Sequence, residues 1–140
     1  MSAKDVARAS IEAWNKRDFS RMRELMHPDY SYTGGDGKEQ KGPDAGIAVA
    51  KMYATAFPDA RIEIVGIKEA GDTAITEFIA RGTHRGDLMG IAPTGKSIDV
   101  CVCNVMEIRD DKIHREREYF DALTMMTQLG VVQDPTVAHV

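Results

Sequence analysis

The stretch "SIDVCVCNVMEIRDDKIHREREYFDALTMMTQLG", residues 97–130, decides the architecture. Its first part, "SIDVCVCNVMEIR", is a long apolar run of strand-forming residues. Asp110 and Asp111 make a tight turn, and "KIHREREYFD" is the partner strand. A turn this short joins antiparallel neighbours. "ALTMMTQLG" then closes the pattern as a short helix, with Gly130 as its stop. Asp121 stands at the seam between strand and helix. Either it only caps the helix, or the seam opens onto a pocket and the carboxylate works there.

Upstream, the same antiparallel pattern continues. "ARIEIVGIKEAG" alternates as a half-buried strand does, residues 71 and 72 make a turn, and "TAITEFIARGTHRG" is the next strand. "DLMGIAPTGKS" is a loop punctuated by Gly90, Pro93 and Gly95. Before residue 60 the period is helical. "SAKDVARASIEAWNKRD" places Ala7, Ile11 and Trp14 at helical spacing, with Ser2 as cap and Asp5 in the first turn. Asp18 or Ser20 opens a second short helix, "SRMRELM", which His27-Pro28-Asp29 ends. "YSYTGGDGKEQKG" starts as a short strand and becomes a Gly-rich rim without phosphate-loop spacing. "PDAGIAVAKMYATAF" is a third long helical run, with Pro43 in its first turn and Ile47, Met52 and Phe57 on its buried side. The tail "VVQDPTVAHV" carries no pattern.

Helices first and strands after imply an α+β domain: a curved antiparallel sheet forming a cone, with helices over its concave face. Residues 1–140 read as one domain, without repeat or linker. The net charge is −4 with both signs interspersed, which gives no basic patch for nucleic acid. No apolar run is long enough for a membrane helix, and "MSAKDVARAS" is no secretion signal, so a cytoplasmic setting is expected. Cys101 and Cys103 share one strand face at about 7 Å, a poor separation for a disulfide. Buried reduced thiols are expected.

A cone of this kind encloses a pocket, and its lining residues share one parity on each strand. On the last strand Ile113, Arg115, Arg117, Tyr119 and Asp121 fall on one face, and His114, Glu116, Glu118 and Phe120 on the other. The first set is the expected pocket lining, and the second suits solvent or an edge. Asn104 interrupts an apolar strand and is either a satisfied core amide or a pocket group. His84, beside a Gly-rich loop, is either a loop anchor or a catalyst. The histidines are scattered and show no HxH or HxxxH spacing, so no metal site is expected. Asp, His, Asn, Arg and Tyr together fit cofactor-free proton transfer on a bound organic molecule, and equally a binding cavity without chemistry.

"GTHRGDLMGIAPTGKSIDV", the "DDKI" turn and "REREYFDALTMMTQLG", with "FPDARIEI" and Trp14 upstream, resemble the SnoaL-like polyketide cyclase family from about residue 4 to 130. The resemblance implies a nuclear-transport-factor-like cone with a deep pocket. It implies ring closure by intramolecular aldol condensation, with an Asp as general acid/base and neither metal nor organic cofactor. On that resemblance Asp121 is the acid/base candidate and His84 the family-like His. Four features depart from the family pattern: "YSYTGGDG" replaces a "DHDP"-like segment, Arg117 stands where Trp is frequent, Asn104 where Asp is frequent, and "DDKI" where "DGKI" is usual. A guanidinium in the pocket wall would favour a smaller or anionic substrate over a large apolar one.

The expected site is therefore Asp121 as base, His84 or Asn104 donating to an enolate oxygen, Arg117 orienting an anionic end, and Trp14 with Tyr119 against the apolar body. The partner is a small molecule, and the long apolar strand supports a homodimer. Two other readings stay open: a binding module using the same cone, and a related pocket hydrolase or hydroxylase.

Overall fold

In the computed structural model, residues 1–133 are described. Helices α1 (Ala3–Asn15) and α2 (Phe19–Glu24) lead into strand β1 (Met26–Thr33). A short β2 (Glu39–Lys41) and helix α3 (Pro43–Ala56) follow. Then come β3 (Arg61–Ala70), β4 (Thr73–Thr83), β5 (Ser97–Arg109), β6 (Lys112–Phe120) and helix α4 (Ala122–Gln128). The six strands form one sheet in the order β2-β1-β6-β5-β4-β3. The pattern of helices before strands thus gives the expected α+β sheet-and-helix architecture.

Local chemistry explains most element ends. Ser2 and Asp5 form a reciprocal capping box at the start of α1. Pro43 opens α3, where its missing N–H costs nothing. Asp110 and Asp111 both adopt positive φ, 54° and 59°, the backbone that a two-residue hairpin turn requires between β5 and β6. Asp121 caps α4 through the Thr124 N–H at 3.1 Å.

Three features differ from the sequence reading. First, α2 ends at Glu24, and the chain enters β1 directly, with Pro28 inside the strand. The β1–β6 register shifts between Met26 and Ser31 there, because a proline has no N–H for the ladder. Second, β1 pairs parallel to β6, so one seam of an otherwise antiparallel sheet is parallel. Third, the Gly-rich rim holds a short strand, β2, paired with β1. Cys101 is exposed and Cys103 half-buried, both as free thiols, which corrects the expectation of buried ones.

The helices lie on one side of the sheet. Val6, Ala7 and Ala13 of α1 and Ile47 and Ala50 of α3 pack on Tyr30, Tyr32, Ile67, Ala74, Met106 and Ile113. A second cluster joins Phe57, Phe78, Ile98, Val100 and Val102 to Met125 of α4 and to Leu129 just after it. Between these clusters the cone stays open as a cavity. Asn15 holds α1 in place by bonding both the N–H and the carbonyl of Ile62 on β3, at 2.8 and 2.9 Å.

The decisive local event is in β6. Ile108 pairs with Ile113, but Glu107 pairs with Arg115, so one extra residue, His114, bulges from β6. A single inserted residue reverses which side chains point inward. Ile113 is fully buried, as read, yet beyond the bulge the inward residues are Glu116, Glu118 and Phe120. This corrects the parity expected for the strand. Arg115, Arg117 and Tyr119 lie on the outer face, where Tyr119 is 58% exposed.

Candidate functional site

The cavity has a volume of about 150 Å³, about the room that holds one benzene-sized ring. Its walls are mostly apolar. Trp14 comes from α1, Val49, Ala50 and Tyr53 from α3, Phe57 from the end of α3, and Phe78, Val100, Val102 and Phe120 from the sheet. Arg17 buttresses Trp14 with its guanidinium 4.0 Å from the indole centroid, while donating to the carbonyls of Pro58 and Ala60.

The polar end of the cavity is one connected network. Glu116 accepts from the Tyr30 hydroxyl and from Asn104 Nδ2, each at 2.7 Å. Glu118 accepts from the Tyr32 hydroxyl at 2.6 Å and from the same Asn104 Nδ2 at 3.0 Å. The sheet builds this directly. Asn104 faces Glu118 across the β5–β6 ladder, and Met106 faces Glu116. Tyr30 and Tyr32 are two residues apart on β1, as Glu116 and Glu118 are on the adjacent β6, so each phenol meets one carboxylate. The two carboxylates fix the amide orientation, because a flipped Asn104 would set its oxygen against both.

Among the described residues, neither glutamate has a cationic neighbour in the cavity lining, which contains no Lys, Arg or His. Desolvation raises Glu116, with the Glu118 charge adding to it, and its pKa is pushed up to about 7. Desolvation raises Glu118 as well, although its bonds from Tyr32 and Asn104 pull the other way. Both side chains are half-buried and line the cavity. Such a pair titrates as a unit, because ionising one carboxylate opposes ionising the other. Burial also raises the phenols of Tyr30 and Tyr32, and that of Tyr53 to about 12, so all three stay protonated.

The structure brings two of the sequence-selected residues to this site, Asn104 and Trp14. It sets the other four elsewhere. The Asp121 carboxylate lies exposed at the start of α4, bonded to the Thr124 N–H and hydroxyl, which lower its pKa. His84 is fully buried outside the cavity lining. Its Nδ1 accepts from the Thr94 N–H at 3.2 Å, and its backbone bonds Lys96 and Gly95, so it closes the 85–96 loop. Arg117 pairs with Glu107 on the outer face, and Tyr119 lies beside it there. His139 lies outside the described residues. The sequence reading missed Glu116, Glu118, Tyr30 and Tyr32. Their signal was the matched spacing of Tyr-x-Tyr on one strand and Glu-x-Glu on another, with one Asn between apolar neighbours. Among the described residues, no three His, Cys, Asp or Glu side chains gather as a metal-ligand set.

Fold and site together define a cone-shaped pocket protein with a buried pair of carboxyl groups at its polar end. The chain belongs to the SnoaL-like polyketide cyclase family, which matches residues 4–129. It is 31% identical over 127 residues to the aklanonic acid methyl ester cyclase AcmA of Streptomyces galilaeus, covering 89% of this chain and 88% of that protein. It is 30% identical over 122 residues to the nogalonic acid methyl ester cyclase of Streptomyces nogalater, covering 86% and 91%. The crystal structure of wild-type IdmH from Streptomyces antibioticus superposes with a TM-score of 0.81 at 28% identity, over 93% of this chain and 99% of that one. A Catenulispora acidiphila protein with a ketosteroid isomerase-like fold superposes with a TM-score of 0.77 at 17% identity, over 89% of this chain and 92% of that one, a likeness of fold.

Proposed function

We propose that this chain is a cyclase that closes a ring in a small carbonyl compound by acid/base catalysis, with Glu118 as base and Glu116 as acid. The carrying observation is the Glu116–Glu118 pair, buried at the polar end of the cavity and joined through one amide nitrogen. A pair that shares one proton offers an ionised base and a protonated acid side by side at neutral pH. Glu118 takes a proton from the carbon next to a carbonyl. The freed electron pair forms the enol double bond, and the carbonyl oxygen takes the Glu116 proton. The enol carbon then attacks a second carbonyl of the same molecule, forming the ring bond. The enol proton returns to Glu116, and the new alkoxide takes its proton from Glu118. Trp14, Tyr53 and Phe120 hold the apolar body. Family membership and the two cyclase relatives support this reading.

Proton abstraction is measurable before the natural substrate is known. Phenylacetone in D₂O is expected to exchange its α-protons faster with the protein present, by NMR. Glu118→Gln is expected to lower that acceleration by roughly 10²-fold or more, whereas Asp121→Asn is expected to leave it unchanged. Full exchange by Glu118→Gln would sink the assignment.

We also place the protein in the cytoplasm as a homodimer. Val65, Ile75 and Tyr119 are exposed large side chains on β3, β4 and β6, which supports pairing of two copies through the sheet. Sedimentation of a Tyr119→Glu variant as a monomer, against a wild-type dimer, is the expected result. Among the described residues, no helix is long and apolar enough to cross a membrane.

A further inference from the structure

We propose that the cavity selects a small organic cation: a carbonyl substrate of about one-ring size that also carries an amine, bound as its ammonium ion. The carbonyl half of this inference rests on the acid/base reading; the charge preference stands on its own observations.

The first observation is an uncompensated charge. Two carboxylates enter the cavity, and among the described residues no Lys, Arg or His lines it. The nearby guanidinium groups are committed elsewhere. Arg17 stacks on Trp14 and bonds backbone carbonyls, and Arg117 pairs with Glu107 on the opposite face of the sheet. The other titratable groups at the site are the phenols of Tyr30 and Tyr32 from β1 and Tyr53 from α3, all neutral. A buried carboxylate pair without a cation costs free energy that a bound ammonium recovers.

The second observation is the direction of the hydrogen bonds. The donors at the polar end, the two phenols and the Asn104 amide N–H groups, already point at the carboxylates. What remains for a ligand is mainly acceptor lone pairs, together with the single proton the pair shares. An ammonium brings donors of its own; a carboxylate would add only acceptors and a third negative charge.

The third observation is the wall. Trp14, Tyr53, Phe57, Phe78 and Phe120 line the same cavity. Aromatic faces attract a desolvated cation and give an anion no such gain. In this arrangement Glu116 keeps the proton it gives to the carbonyl oxygen, and the ammonium pairs with the ionised oxygens of the pair. Glu118 remains the base, and the substrate's own positive charge offsets the enolate.

Three nearly isosteric probes test this: benzylammonium, benzyl alcohol and benzoate. Calorimetric titration is paired with the NMR shift of the indole N–H of Trp14, the single Trp of the chain and a lining residue. Benzylammonium is expected to bind at least about tenfold more tightly than benzyl alcohol, and benzoate not to bind. The preference is expected to shrink in Glu116→Gln and to vanish in the Glu116→Gln/Glu118→Gln double variant. Equal binding of amine and alcohol, tighter binding of benzoate, or no shift of the Trp14 signal with amine up to about 10 mM overturns the proposal. If the variants fail to fold, the wild-type ranking still decides it. Because binding is read without turnover, a protein that ranks the amine first but exchanges no α-deuterium keeps this inference and loses the acid/base reading. The reverse result does the opposite.

Discussion

At the scale of single residues, the instructive contrast is between Asp121 and Glu118, three positions apart. Asp121 is spent on the helix end. Both of its oxygens bond Thr124, and solvent surrounds them, so its pKa is lowered. Glu118 has a phenol and an amide for partners in an apolar cavity, so its pKa is raised. The same functional group thus serves as a cap in one place and, in the proposed mechanism, as a base in the other. Asp121→Ala is expected to lower the Tm by a few degrees through loss of the cap, while Asp121→Asn, which keeps a capping oxygen, stays close to wild type. Thermal melts of the two variants beside their exchange rates check this. A collapse of exchange in a folded Asp121→Asn would return the chemistry to the seam.

At the scale of elements, the site depends on how closely α3 approaches β1. A Cβ on Gly46 would clash with Tyr30 Cε1 and lie 3.1 Å from Met26 Cε. Glycine therefore lets the helix lie against the ring whose hydroxyl holds Glu116. Gly46→Ala gains helix propensity of about 1 kcal/mol but forces overpacking that costs about 1–3 kcal/mol. The net expectation is a modest loss of stability with a larger loss of α-proton exchange, since the Tyr30–Glu116 bond is displaced. Melting and exchange measured on this one variant test the claim; unchanged exchange would show that Tyr30 does not position Glu116. The His114 bulge acts at this scale too, because it alone decides which face of β6 lines the pocket.

At the scale of the whole molecule, the buried pair should shape stability against pH. Glu116 titrates near 4.5 in the unfolded chain and at about 7 in the folded protein. Between those values the folded state holds more protons, so stability is fully present below the lower value and is lost as pH rises through the higher one. Asp5, Asp59, Glu107 and Asp121 are shifted the other way. They add stability above their unfolded values and lose it only in more acidic solution. The Tm is therefore expected to fall from pH 5 to pH 8, and Glu116→Gln is expected to flatten that fall. A wild-type Tm that rises over this interval would contradict the buried, raised carboxyl pair.

Much of this protein is determined by local sequence. The capping box at Ser2, Pro43 at the start of α3, the Asp110–Asp111 turn and the alternation along β5 each specify an element through chemistry within a few residues. The order of those elements then leaves few folds. Asn104 and Trp14 were legible as pocket residues because an amide or an indole in an apolar pattern stands out. The role of β6 was not legible. A bulge depends on strand pairing, and pairing joins residues distant in the chain, such as Glu107 with Arg115 and Tyr32 with Glu116. Read alone, "HREREYFD" gives two alternating faces and no means of choosing between them. Only the packed sheet sets Glu116 and Glu118 against two tyrosines in an apolar cavity, because burial and charge pairing are properties of the tertiary structure rather than of the strand.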